Sequence, residues 1–121
     1  MPRPPGDAAE SLVSDLLVGR GWTILDRRLR VGRLEVDVVA RLGDVVALVE
    51  VRGRRVDGWV SGFDSIDPRK RKRLIVAARA LWSRRFCADE SVRIVRIDVA
   101  SVTWRDGAPL VEIAEGAIEI A

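Results

Sequence analysis

The chain has 121 residues, of which 48% are hydrophobic and 32% are charged, a balance typical of one globular domain. It contains neither histidine nor tyrosine, which excludes sites that need an imidazole base or ligand and reactions that need a tyrosine nucleophile. The net charge of +3 is unevenly spread: residues 1–51 carry seven basic and eight acidic side chains, residues 52–85 carry eleven and three, and residues 86–121 carry three and seven. The basic middle segment indicates a polyanionic partner, with a solvated helix face as the alternative.

The single cysteine, Cys87, cannot form an internal disulfide, and no apolar run approaches the roughly 20 residues that a membrane helix needs. The first six residues are rich in proline and lack the apolar stretch of a secretory signal. We therefore expect a cytoplasmic protein that does not enter a membrane. Its single domain is expected to cover residues 1–121, with residues 1–6 as a flexible tail.

The first predicted element is a helix from Asp7 to Arg20. Apolar residues recur in it at helical spacing, and Gly21 follows where a helix stop is expected. The β-rich run over residues 22–29 then predicts the first strand.

Two β-rich segments, residues 34–41 and 45–54, come next and predict a hairpin. They are separated by Gly43 and Asp44, and a two-residue connection of this type is typical of a tight hairpin turn. The second segment begins with a run that is apolar on both faces, which is typical of a central strand buried on both sides.

Residues 53–66 contain three glycines and two serines and are predicted to form a loop. Asp67 and Pro68 supply a helix N-cap and a first-turn proline, which predicts a helix reaching Phe86. A strand over residues 91–104 follows, and a last strand over 110–113 is left open. The order αβββαβ, with or without that last strand, predicts a mixed α/β domain whose sheet lies between helices. The residues expected to point inward from the second helix are Leu74, Ile75, Ala78, Leu81 and Trp82.

The hairpin register brings acidic residues together. With a two-residue turn, Asp37 lies opposite Glu50 and Glu35 lies opposite Arg52, and strand alternation puts all four on one face. Like charges that face each other on neighbouring strands are destabilising, so the cluster needs compensation. One interpretation is a divalent cation held by Asp37, Glu50 and a backbone carbonyl, since hard cations take oxygen ligands. The other is a salt-bridge network in which Arg52 neutralises the acids.

Glu10 also has two interpretations. It follows Asp7 by three residues, which is the spacing of a helix capping box. Capping is the simpler interpretation of the residue taken by itself, and only its surroundings can favour a place in the acidic cluster.

The second predicted helix begins with five consecutive cations, residues 69–73. Cations at this end oppose the helix dipole by about a few tenths of a kcal/mol each, and a bound anion reverses that penalty. The free amides of the helix start and the cations together favour a phosphate-binding surface. Trp59, in the preceding loop, either stacks on a base or anchors the loop. The predicted nucleic-acid contacts are Arg54, Arg55, Arg69, Lys70, Lys72 and Arg73.

Three stretches of the chain resemble the YraN-type family of uncharacterised bacterial proteins: residues 34–41 (LEVDVVAR), 48–54 (LVEVRGR) and 65–74 (SIDPRKRKRL). That family is in turn similar to Holliday-junction resolvases and other PD-(D/E)XK nucleases. The resemblance extends from Ala9 to Val99. It implies a restriction-endonuclease-like core, in which a mixed central β-sheet is flanked by helices.

The resemblance also implies roles for four catalytic residues. Asp37 and Glu50 correspond to metal-binding acids, Glu10 resembles a further metal-binding acid of the resolvase-like branch, and Arg52 stands at the position of the superfamily's lysine. An arginine stays charged and can only stabilise negative charge, whereas a lysine can also orient water. A second departure is Leu34, which stands where the family usually has glycine. Further positions characteristic of the narrower family are matched by Glu35, Lys70, Arg96 and Asp98.

These observations lead to three hypotheses. The first is an endonuclease that uses Mg²⁺ or Mn²⁺, held by Asp37, Glu50 and Glu10, to hydrolyse phosphodiester bonds. The second is a non-catalytic nucleic-acid-binding module, in which Glu35 and Arg52 form a salt bridge in place of the metal. The third is a protein-interaction domain whose basic helix docks on an acidic partner. The expected partner is nucleic acid, DNA ahead of RNA, and a homodimer is left open.

Overall fold

The structure is a computed structural model that describes residues 5–55 and 66–120, with the backbone alone at residues 5, 6, 54 and 55. The predicted order of elements is confirmed, including the last strand that the sequence left open. No helix within these ranges has the length and the apolar character that crossing a membrane requires. The elements are α1 (Pro5–Gly19), β1 (Thr23–Val31), β2 (Leu34–Leu42), β3 (Val45–Arg55), α2 (Pro68–Leu81), a π-helical turn (Trp82–Phe86), β4 (Ile94–Arg105) and β5 (Ala108–Ile118).

Several boundaries differ from those that the sequence predicted. Helix α1 begins at Pro5, so two residues of the expected tail have helical backbone. Strand β3 runs to Arg55 and takes in the first three residues of the expected loop. The rest of that loop up to residue 65, with Trp59, lies outside the described residues.

The five strands form one sheet in the order β1-β2-β3-β4-β5. Strands β3 and β4 are parallel, and each of the other neighbouring pairs is antiparallel. Parallel neighbours need a crossover connection, and α2 lies in the segment that joins them. The result is the mixed sheet of a restriction-endonuclease-like α/β core, as predicted.

Each face of the sheet is covered by one helix. Leu74 of α2 packs with Leu48 in the hydrophobic cluster on one face, and Val13 of α1 packs with Val49 in the cluster on the other. Both of these β3 residues are buried, as predicted for a central strand. At about 1.5–3 kcal/mol for each large apolar side chain that is buried, the two clusters supply the main stabilisation of the fold.

Helix α2 starts and ends for identifiable reasons. The carboxylate of Asp67 accepts a hydrogen bond from the backbone N–H of Arg69 at 2.8 Å, which satisfies an amide of the first turn. At the other end the chain widens into the π-helical turn, where the Cys87 N–H donates to the Trp82 carbonyl at 2.7 Å. The prediction that Trp82 points inward is wrong, because the wider turn leaves it 36% exposed and brings Phe86 into the core instead.

Candidate metal and nucleic-acid site

The candidate site lies where β2 and β3 part. The hairpin has the predicted register, with its ladder running from Leu42 opposite Val45 to Val38 opposite Val49. One residue beyond the ladder, the carboxylate of Asp37 accepts a hydrogen bond from the Val51 backbone N–H at 2.8 Å. A side chain of one strand thus pairs with the backbone of the other, and this contact holds the carboxylate in the fork between the strands.

The alternation of side chains along β2 breaks at Asp37. Val36 and Val38 are both completely buried, yet Val36 packs in the cluster under α2 and Val38 packs in the cluster under α1. Residues two apart on a regular strand share a face, so the strand turns over at this point. The prediction that regular alternation alone would group the acids was therefore too simple, since Asp37 lies between the two faces of the sheet.

A matching distortion occurs on β1, the neighbouring strand. Arg28 has a φ of +54°, a left-handed conformation that is uncommon for a residue with a side chain. Its neighbours Arg27 and Leu29 pair with Val38 and Val36, which places Arg28 across from Asp37. Non-glycine residues held in this region cluster at functional sites.

Glu50 is the buried partner of Asp37. Its side chain is 2% exposed, and its Oε1 atom forms an ion pair with the ammonium group of Lys70. Its Oε2 atom is buried and accepts no hydrogen bond from a donor group in residues 5–55 and 66–120, and a hydrogen bond between the Glu50 and Asp37 carboxyls forms only when one of them is protonated. Burial and then the charge of Asp37 raise the pKa of Glu50 to about 7, although Lys70 opposes this shift. Burial also raises the pKa of Asp37, against the effect of the Val51 hydrogen bond.

Glu10 approaches the same region from α1 without capping that helix. Its buried carboxylate accepts a hydrogen bond from Arg28 Nε at 3.0 Å and lies 3.7 Å from Arg27 Nη2. Arg28 also forms an ion pair with Asp7, so one guanidinium ties β1 to the first turns of α1. Burial and then the charge of Asp37 raise the pKa of Glu10.

Gly53 allows α1 to lie this close to the site. A Cβ atom at this position would meet Ala9 Cβ at 3.0 Å and Trp104 Cζ3 at 3.1 Å, both tighter than ordinary packing. Because Ala9 directly precedes Glu10, the missing side chain of Gly53 controls how near Glu10 comes to the end of β3.

The cations at the start of α2 divide into two groups. Lys70 lies four residues before the buried Leu74 and therefore on the inward side of the helix, above Glu50. All five side chains are exposed, that of Lys70 by 46%, and the other four form no ion pair with the described part of the chain: Arg69, Arg71, Lys72 and Arg73.

The remaining predicted site residues are placed as follows. Arg52 is half-buried on β3, two residues after Glu50. Glu35 is exposed on β2, and its carboxylate lies 4.0 Å from the guanidinium of Arg30. Arg54 and Arg55 are in the last residues of β3, and their side chains lie outside the described atoms.

The acids fit a hard cation with two carboxylate ligands better than one with three. Among residues 5–55 and 66–120, no three acidic or cysteine side chains are grouped closely enough to share an ion. Asp37 and Glu50 are adjacent, whereas Glu10 is engaged by arginines. Magnesium commonly takes one or two protein carboxylates and keeps several waters, and the partnerless Glu50 Oε2 is a suitable oxygen donor.

Comparison with known proteins identifies the family. The sequence pattern of an uncharacterised protein family, UPF0102, matches residues 9–102. The chain belongs to this family. It is the YraN-type family that the three sequence stretches predicted.

Relatives within the family cover most of this chain. A UPF0102 protein of Sorangium cellulosum is 45% identical over 95% of the chain and 81% of its own length. One of Anaeromyxobacter dehalogenans is 39% identical over 88% of the chain and 78% of its own length. One of Pseudomonas paraeruginosa is 37% identical over 87% of the chain and 82% of its own length. Their names state family membership and no activity.

Two of the positions characteristic of the family have a structural role here. The Asp98 carboxylate is 2% exposed and accepts hydrogen bonds from Arg96 Nε at 2.9 Å, Arg96 Nη2 at 3.1 Å and the Gly116 N–H at 2.8 Å. The last of these joins β4 to β5 beside a register shift that falls between Ile97 and Val99. This pair therefore holds the irregular end of the sheet. It lies outside the acidic fork, the pair of carboxylates of Asp37 and Glu50 where β2 and β3 part.

Sequence reasoning missed the role of Arg28 and the inward orientation of Lys70. No local signal marks Arg28, because its contacts are with α1 and its strained conformation depends on the neighbouring strand. Lys70 could have been found by counting back one helical turn from Leu74, the first core residue of α2.

Proposed function

We propose that this protein is a metal-dependent endonuclease that hydrolyses phosphodiester bonds of nucleic acid, DNA ahead of RNA. The observation that carries the proposal is the buried Glu50 carboxylate, which adjoins the carboxyl group of Asp37 and has one oxygen that accepts no hydrogen bond from a donor group of the described residues. A buried polar atom without a partner costs about 1–3 kcal/mol, more when it is charged, and needs a compensating ligand. A cation bound by both acids supplies that compensation.

In this proposal the acidic residues bind the metal ion and Arg52 contacts the phosphate. Asp37 and Glu50 would hold Mg²⁺ or Mn²⁺, with Glu10 as a further ligand if Arg28 releases it. When bound, the ion would activate a water and neutralise the charge that develops on the phosphate. Arg52 would stabilise that negative charge from β3.

Nucleic acid would bind along the start of α2. The exposed cations Arg69, Arg71, Lys72 and Arg73 form no ion pair with the described residues and oppose the helix dipole, and phosphate groups would satisfy both conditions. Contacts of this type recognise the backbone, so we expect little sequence specificity. Arg54 and Arg55, the last residues of β3, are further proposed phosphate contacts.

The test is cleavage by the purified protein with Mg²⁺ or Mn²⁺, using linear, single-stranded and branched DNA and the matching RNAs. The isosteric double variant Asp37→Asn, Glu50→Gln removes both charges of the fork. Asp15→Asn, an exposed acid on α1, is the matched control. We expect the parent and the control to cut in a metal-dependent manner and the double variant not to cut.

A second function is favoured by one specific observation. Lys70 and the arginines of β1 already neutralise Glu50 and Glu10, as they would in a non-catalytic nucleic-acid-binding module. Binding by the parent and the double variant with equal affinity, and cleavage by neither, would support this alternative. Binding that is weak and insensitive to salt would instead indicate an acidic protein partner.

A further inference from the structure

Lys70 differs from the cations around it in the direction of its side chain. The buried residues of α2 are Leu74, Ala77, Ala78 and Leu81, which form one stripe along the helix. Lys70 continues this stripe by one turn toward the N-terminus, since it precedes Leu74 by four residues. A cation on the inward stripe faces the sheet, where the side chain of Glu50 meets it.

The contact with Glu50 involves only one carboxylate oxygen. The Lys70 ammonium group is bound to Oε1, and Oε2 is left as a buried acceptor without a partner. The two oxygens of a carboxylate are equivalent, so the ion pair does not select one of them. It fixes the rotation of the carboxylate group, with one oxygen held by Lys70 and the other left available. Lys70 thereby sets the orientation of the acid and supplies positive charge at a buried anion.

We infer that Lys70 is a positioning residue of the acidic fork, which orients Glu50 for the shared ligand, and that it is not one of the phosphate contacts of α2. This inference rests on the proposed function and refines it. It separates the five cations at the start of α2, residues 69–73, into one that serves turnover and four that serve nucleic-acid binding.

Arg52 does not make Lys70 redundant. It lies two residues after Glu50 on the same strand, and its planar guanidinium would contact the phosphate of the bound nucleic acid. Lys70 reaches Glu50 from a separate element, so the position of α2 and the orientation of Glu50 are linked. Any shift of α2 would disturb the acid without touching β3.

The first experiment uses the metal-free protein, so its result does not depend on turnover. Binding of a labelled DNA duplex is followed by fluorescence anisotropy at a series of salt concentrations, for the parent, Lys70→Gln and Lys72→Gln. Lys72 is an exposed lysine on the same helix and is the matched control. We expect Lys72→Gln to reduce the slope of log affinity against log salt by about one, and Lys70→Gln to leave it unchanged.

The second experiment measures cleavage kinetics in Mn²⁺. Misplacement of a group in a site by about 1 Å lowers turnover on the order of a hundred-fold, so Lys70→Gln should lower kcat by that factor with KM little changed. Lys72→Gln should show its effect in KM instead. Lys70→Arg can still donate to Oε1 and should recover about ten-fold of the lost kcat, which loss of a packing contact would not explain.

The two experiments separate the possible failures. A reduced salt slope for Lys70→Gln would identify Lys70 as a phosphate contact and overturn the inference, whatever the turnover. Equal kcat for the parent and Lys70→Gln would overturn the inference and leave the proposed function standing. A parent that cuts no substrate would overturn the proposed function and the turnover role of Lys70 with it. Because Lys70 is half-exposed, the variant is expected to fold, and a far-UV spectrum would check this.

Discussion

Replacing Glu50 by Gln should stabilise the metal-free protein, and more so as the pH rises. The exchange keeps the shape of a side chain that is 2% exposed and removes its charge. The pKa of Glu50 is about 7 in the folded chain, against an ordinary value of 4.5. The folded state therefore holds this proton more tightly than the unfolded state does, and ionisation of Glu50 destabilises the fold.

The sign and size follow from linkage. Below pH 4.5 the carboxyl is protonated in both states and the exchange has little effect. Between that pH and about 7 the parent loses stability while the Gln variant does not. Since each unit of pKa shift corresponds to about 1.36 kcal/mol, the difference in the free energy of unfolding should approach about 3 kcal/mol near pH 8.

The assay is urea unfolding in the presence of a chelator at several pH values. Glu90→Gln, an exposed glutamate in the turn before β4, is the matched control and should show no trend with pH. Two results would refute this reasoning: a Glu50→Gln variant that is less stable than the parent near pH 8, or a stability difference that does not change with pH. Either would mean that the ionised, buried Glu50 does not destabilise the fold.

Three other outcomes are expected. Gly53→Ala should lower the free energy of unfolding by about 1–3 kcal/mol in urea, because its Cβ would collide with Ala9. Gly19→Ala is the control, since a Cβ there has open space and should not lower that free energy. Equal values for the two variants would refute the packing argument. Asp98→Asn should cost about 1–3 kcal/mol in the same assay, since it removes the buried charge that accepts two hydrogen bonds from the part-buried Arg96, and a change below about 1 kcal/mol would contradict that role. Mn²⁺ at about a hundred times its Kd should stabilise the parent by about 2.7 kcal/mol in thermal unfolding but not Asp37→Asn, and equal stabilisation of both would place the ion elsewhere.

The sequence was informative wherever a local signal determines the structure. The glycine-aspartate turn at residues 43–44 specifies the hairpin and its register, and that register places Asp37 one residue beyond the Val38–Val49 pair and across from Glu50. Asp67 and Pro68 mark the start of α2 because capping depends on neighbouring residues. The family resemblance rests on these same segments.

The features that the sequence did not reveal depend on contacts between distant segments. The reversal of side chains at Asp37 needs both the left-handed Arg28 on β1 and the parting of β2 from β3. The engagement of Glu10 by Arg28 joins residues that are 18 positions apart. The prediction for Trp82 was wrong for a different reason, since no residue pattern predicts a π-helical turn.

The parallel pairing of β3 with β4 has a consequence for how the chain folds. The hairpins β1-β2-β3 and β4-β5 form between segments that are close in sequence, whereas the central pair joins Val45 to Ile94 across the whole of α2. Closing such a long connection has a large entropic cost, so this junction should form late and limit the folding rate. Until it forms, the unpaired edges of β3 and β4 are exposed and can pair with other chains. The yield of soluble protein should therefore depend on how quickly β3 and β4 pair with each other.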